Sequence, residues 1–168
     1  MQDWPELQRI TTEYVAVEDR LRLSGETADG RTMVLWLTQR LMNLLAPQLT
    51  GWLERQEAAG GGALQEFAQQ VAEASLVVQP PVRATSPETD WCVVTVDIAQ
   101  GPDGVTLVLK SHDDARQVRL PMPTEALRQW LAIVRNQYVL GAWPTTAWPA
   151  WMSETHALSI APASPALH

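Results

Sequence analysis

At 168 residues, 46% apolar and 18% charged, the chain has the length and composition of one globular domain with an ordinary core. Its formal net charge of -7 works against nucleic acid, whose phosphates are bound by clustered Lys and Arg. Its single cysteine, Cys92, excludes an internal disulfide and a cysteine-based zinc cage. The opening "MQDWPELQR" lacks the basic and apolar regions of a secretion signal, and no run nears the roughly 18 apolar residues of a membrane span. A cytoplasmic protein with no membrane attachment is therefore expected.

Alternation of Val15, Val17, Leu21 and Leu23 against Glu18, Arg20 and Arg22 predicts a first strand from Val15 to Leu23. The Asp29-Gly30 pair supplies positive φ angles for a tight reversal into a second strand, Thr32 to Leu37. Thr38 suits the cap of a helix whose apolar residues, Leu41, Leu44, Leu45, Leu49, Trp52 and Leu53, recur at helical spacing. Pro47 predicts a kink there, or two short helices. Gly60, Gly61 and Gly62 end the segment, and a second helix from about Leu64 to Leu76 places Leu64, Phe67, Val71 and Ala74 on one side.

"QPPVRATSPETD" has no periodicity and reads as an extended connector. In "WCVVTVDIA", Cys92, Val94, Val96 and Ile98 alternate with Trp91, Val93, Thr95 and Asp97. The chain then turns at Asp103-Gly104 and returns with Val105, Leu107 and Leu109 on the core face; "HDDARQVRL" turns once more into a strand ending at Leu120. A last helix is capped by Thr124, carries Leu127, Trp130, Leu131, Val134 and Tyr138 as its apolar stripe, and stops at Gly141. The expected fold is α+β. An antiparallel sheet is built from hairpins in the order strand-strand-helix-helix-strand-strand-strand-helix, with helices packed mainly on one face. Residues 1-151 form one domain, with the helical pair at about 39-76 inserted between two hairpin regions, and residues 152-168 form a loosely ordered tail.

No constellation names a reaction. Cys92 lies in register with apolar neighbours, the setting of a structural thiol and not of an activated one. Ser111, His112, Asp113 and Asp114 are consecutive, so their side chains diverge, and the two aspartates suit a turn. A three-histidine zinc site would need His156 and His168 of the tail to fold inward onto His112. "AAGGGA" lacks the lysine and preceding strand of a phosphate loop. Asp97 with Glu18 or Asp19 could form a carboxylate pair, which a solvated sheet face explains equally well. No catalytic residue, cofactor or metal site is assigned.

The feature that stands out is apolar. If the leucines of the strands face the helices, the opposite sheet face carries Val34, Trp36, Trp91, Val93 and Val108, where a solvated antiparallel face should be polar. A large exposed apolar patch usually marks an interaction site. The segment "GAWPTTAWPAWM" adds Trp143, Trp148 and Trp151 on a backbone stiffened by proline, a strap seeking a surface to cover. These eight residues are the expected interface of a non-enzymatic interaction or self-assembly module, with a homodimer or another protein as partner. The alternative is a small-molecule-binding protein or enzyme with an aromatic-lined pocket between sheet and helices, anchored by His112 or Asp97. Peptide recognition on a tryptophan and proline surface is a third possibility.

No sequence motif identifies a family. Over about Val15 to Leu140, the order of strands, helical pair, three-stranded meander and helix resembles the head domains of end-joining scaffold proteins and centriolar cartwheel proteins. The resemblance implies a dimeric assembly module built as a sandwich with an inserted helix-turn-helix. The final helix departs from it, being short and without the sustained heptads of a coiled-coil stalk. No functional residue carries over.

Overall fold

The computed structural model describes residues 3-56, 61-84 and 90-152. Within them the order is β1 (Leu7–Val15), β2 (Arg20–Thr27), β3 (Thr32–Leu37), α1 (Gln39–Gln56), α2 (Gly61–Ala74), β4 (Trp91–Cys92), β5 (Thr95–Gln100), β6 (Gly104–Lys110), β7 (Gln117–Pro123) and α3 (Thr124–Leu140). The α+β mixture of hairpins and an inserted helical pair is as expected. The strands form two sheets, ordered β1-β2-β3-β4 and β5-β6-β7. All ladders are antiparallel except β3–β4, which runs parallel because the α1-α2 excursion returns the chain in the same direction.

One strand was misplaced by periodicity. The expected strand from Val15 to Leu23 straddles a reversal: β1 ends at Val15, the amides of Glu18 and Asp19 close the turn onto Val15 and Ala16, and β2 starts at Arg20. Val17 keeps the alternation in phase yet sits at the turn tip, 95% exposed. Asp19 takes a left-handed φ of 49°, which a short polar side chain tolerates. In the next hairpin Gly30 alone takes a positive φ, 86°, and Asp29 instead accepts a hydrogen bond from the Thr27 hydroxyl.

The stretch from Trp91 to Gln100 serves both sheets. The Val93 amide bonds the Trp36 carbonyl in one, and the next amide, Val94, bonds the Lys110 carbonyl in the other, both at 2.9 Å. The crossing places Val94 and Thr95 consecutively outward, so the alternation slips by one: Val93 is buried with the core, Val94 is exposed, and Val96 and Ile98 point in again. At the opposite margin Glu6 bridges Arg119, whose amide bonds the Pro5 carbonyl at 2.9 Å. The two sheets are thus joined at both margins around a shared interior.

That interior holds Leu21, Leu23, Leu35 and Leu37 from the first sheet and Val105, Leu107, Leu109, Val118 and Leu120 from the second. Against them pack Met42, Leu45, Leu49 and Leu53 of α1 and Leu127, Leu131 and Val134 of α3, in one apolar cluster. Burying each such side chain is worth roughly 1.5–3 kcal/mol. The Thr38 hydroxyl caps α1 by accepting the Leu41 amide at 3.1 Å, and α1 runs through Pro47 as one helix. For α3 the cap position falls on Pro123; Thr124 lies inside the first turn, its amide and hydroxyl both donating to the Asp103 carbonyl.

Candidate interaction surface

The eight residues expected to share an interface are not gathered on one exposed face. Val34 and Val93 are buried by their own chain, and Trp36, Trp91 and Val108 are half-buried. The proline-rich connector covers part of the outer sheet face. Its Val82 amide donates to the Thr11 hydroxyl at 2.8 Å and its Pro80 carbonyl accepts from Arg9 at 2.9 Å. Thr11, Ser24 and Val34 form one cross-strand row beneath it, and Val82, Ser24 and Val34 are all buried. Next to this row the Arg20 guanidinium lies 4.6 Å from the centre of the Trp36 ring. What remains of the face is laced with ion pairs: Arg9–Glu26, Arg22–Glu13 and, on the second sheet, Lys110–Asp97.

The tryptophan strap folds back on its own chain, over helices and a turn. The α3 helix ends at Gly141, where the main chain passes so close to Tyr14 that a Cβ would stand 2.7 Å from the ring. Ala142 then takes a φ of 55° and turns the strap back. Trp143 meets Tyr14 and Tyr138 edge-to-face at 5.6 and 5.0 Å, and Trp148 meets Tyr138 at 5.4 Å. The Asp19 carboxylate accepts from Trp143 Nε1 at 2.9 Å and from the Tyr14 hydroxyl at 2.8 Å. Those two bonds, in that order of weight, hold the Asp19 carboxyl below its ordinary value, and the one it accepts from Tyr14 raises the phenol. Burial pushes the Tyr138 phenol strongly upward, and its hydroxyl donates to Asn43 of α1 at 2.7 Å. Trp151 Nε1 donates to Glu54 at 2.8 Å, while its ring lies 5.6 Å from the Arg128 guanidinium. All three strap tryptophans are buried.

Among the described residues Leu44 of α1, expected in its buried stripe, and Val139 and Leu140 at the end of α3 are exposed, and α2 carries a whole apolar face to solvent, in the reverse of the usual helix arrangement. The face turned toward the protein carries Gln65, Gln69 and Ala72, all buried. The face turned to solvent carries Leu64, Val71 and Phe67, the chain's sole phenylalanine, at 39%, 49% and 63% exposure. Arg128 of α3 explains the inversion. Buried, it donates through Nη2 to Gln65 at 2.7 Å and through Nη1 to Gln69 at 3.5 Å, while Gln69 Nε2 donates to the Arg128 carbonyl at 2.8 Å. Gln65 Nε2 also reaches the Leu53 carbonyl at the end of α1, and Gln129 Nε2 the Ala72 carbonyl. A leucine stripe against this guanidinium would strip it of these partners, at a cost exceeding the apolar burial gained. The polar face therefore goes down, and the apolar one faces out. Leu76, Val77 and Val78, directly after α2, are exposed as well.

The side chains weighed for chemistry do not converge. His112 is exposed in the β6–β7 turn, Asp113 accepts from the Ser111 hydroxyl and the Ala115 amide, and Asp97 is exposed and paired with Lys110 at 2.6 Å. The hydrogen bonds from Ser111 and then Ala115 hold the Asp113 carboxyl below its ordinary value, as suits a turn. Cys92 is half-buried. A shallow depression of about 430 Å³ opens beside Gln39, Arg40, Asn43 and Leu44 of α1, away from His112 and Asp97 in the chain. Among the described residues no cluster of His, Cys, Asp and Glu could hold a metal ion, and no helix is long and apolar enough to cross a membrane. His156, His168 and the expected tail beyond Met152 lie outside the described residues; Met152 itself is buried. No family model, no curated protein and no solved structure matches the chain.

Proposed function

We propose that this chain is a non-enzymatic protein-interaction module whose contact surface is the outward face of α2, around Leu64, Phe67 and Val71. The carrying observation is that a helix fixed to the protein by buried hydrogen bonds turns its apolar stripe to solvent. Such a stripe resembles the surfaces that accept helical or extended partners. The strap tryptophans contribute by rigidity: they lock α3, the support on which α2 rests.

A photo-crosslinking amino acid placed at position 67, in cells that express the chain naturally, tests the reading against one placed at position 97. Position 67 is expected to give a discrete adduct with a second protein, and position 97, on a solvated sheet face, none. Absence of any adduct at 67 and 71 overturns it.

A further inference from the structure

On the assignment of α2 as the contact surface, we infer that residues 157-161 of the same chain, "ALSIA", lie on Leu64, Phe67 and Val71 as a tethered occupant that a partner must displace. The place where the described chain ends carries this. The strap runs back along α3: Trp143 and Trp148 meet Tyr138, and Trp151 lies 5.6 Å from the guanidinium of Arg128, ten residues earlier in that helix. Trp151 Nε1 also donates to Glu54, close to the end of α1. Arg128 is the side chain that holds Gln65 and Gln69 of α2. Met152, buried, therefore sends the chain out beside α2. From there to Ala157 five residues span at most roughly 18 Å, enough to pass round a helix about 10–12 Å across. Other exposed helix residues offer less: Leu44 is a lone leucine about 15 Å back along α1 from Glu54, and Val139 stands about 16 Å along α3 from Arg128, at 1.5 Å per residue.

Composition and tethering select the occupant. Between Met152 and His168 the sequence holds one carboxylate side chain, Glu154, and no Lys or Arg, so laying it on an apolar strip desolvates almost no charge. Leu158 and Ile160 supply its large apolar side chains. So short a tether presents the segment to α2 at an effective concentration on the order of mM. Two apolar side chains on an open strip bind weakly, with a dissociation constant of the same order, so the face is covered about half the time. Cover of that order lowers a partner's apparent affinity about twofold. A second copy lacks the tether and arrives against a net charge of -7.

The test uses the purified full chain, at low micromolar concentration, with a photo-crosslinking amino acid at position 67. Irradiation and peptide mapping are expected to link position 67 to residues 153-162 within one chain. Leu158→Ser combined with Ile160→Ser should cut that yield at least about fivefold. In cells the same pair of substitutions should raise the adduct between position 67 and a second protein about twofold. Unchanged near-ultraviolet circular dichroism of the buried tryptophans certifies the fold. No link, links to other segments only, or a yield indifferent to the two substitutions overturns the tethered occupant; a second-protein adduct that persists then keeps α2 as the contact surface. Links confined to two-chain products assign the face to a second copy and overturn it as well. An intrachain link with no second-protein adduct makes residues 157-161 a permanent cover, which overturns displacement and removes the interaction reading.

Discussion

Gly141 shows how a single missing Cβ positions an aromatic box. Its φ of -84° is ordinary, so glycine is needed there for the approach of Tyr14 and not for backbone freedom. Gly141→Ala is expected to cost about 1–3 kcal/mol in urea unfolding, as overpacking does, and the cost should largely vanish when Tyr14 is also changed to alanine. The same box contains a titrating group. The folded Asp19 carboxyl lies below its ordinary value of 3.8, so its contribution is complete above that value and is lost as pH falls through the lowered one. Wild type should therefore lose more of its urea midpoint than Asp19→Asn between about pH 6 and about pH 3. Equal acid sensitivity of the two would show that the Trp143 and Tyr14 bonds leave this carboxyl unstabilised. The sequence marked Trp143 as a residue seeking cover and Asp19 only as a possible carboxylate partner of Asp97; its bonds to Trp143 and Tyr14 arise from a turn that the alternation concealed.

At the scale of elements, α2 reverses the stability expected of apolar and polar positions. Gln69 is fully buried and twice bonded to Arg128, so Gln69→Ala should destabilise by about 1–3 kcal/mol. Phe67→Ser, two residues earlier, should change the urea midpoint by less than about 0.5 kcal/mol equivalent. The opposite ranking would mean that α2 buries its apolar stripe. The strap is held mainly by aromatic packing, and Trp143→Ala should cost about 3–5 kcal/mol. Helical spacing located α1, α2 and α3 and named the buried stripe of α3 correctly, because that stripe faces leucines and valines. For α2 the same spacing found Leu64, Phe67 and Val71 on one side, but the direction of that side depends on Arg128, 57 residues beyond Val71 in the sequence. Likewise, alternation in "WCVVTVDIA" put Val94 with the core; the slip at the sheet crossing exposes it and buries Val93.

For the whole molecule, a net charge of -7 sets like charge against like when two copies meet. Light scattering at micromolar concentration should return the mass of one chain, and a two-chain mass removed by Phe67→Ser would transfer the surface to self-assembly. The sequence by itself determined the α+β class, the hairpins after Thr27 and Gly101 and the existence of three helices, because periodicity, turn residues and caps act over a few neighbouring residues. Its expectation of an apolar outer sheet face named Val34 and Val93, which the folded chain buries. Only the tertiary structure decided which apolar side chains face out, among them Leu64, Phe67 and Val71 of α2. The connector passes over the row that holds Val34, Val93 joins the core, the strap tryptophans are buried against helices and a turn, and a buried guanidinium fixes the polar side of α2 inward. Which face an amphipathic element exposes depends on its distant packing partner, and that information is absent from its own spacing.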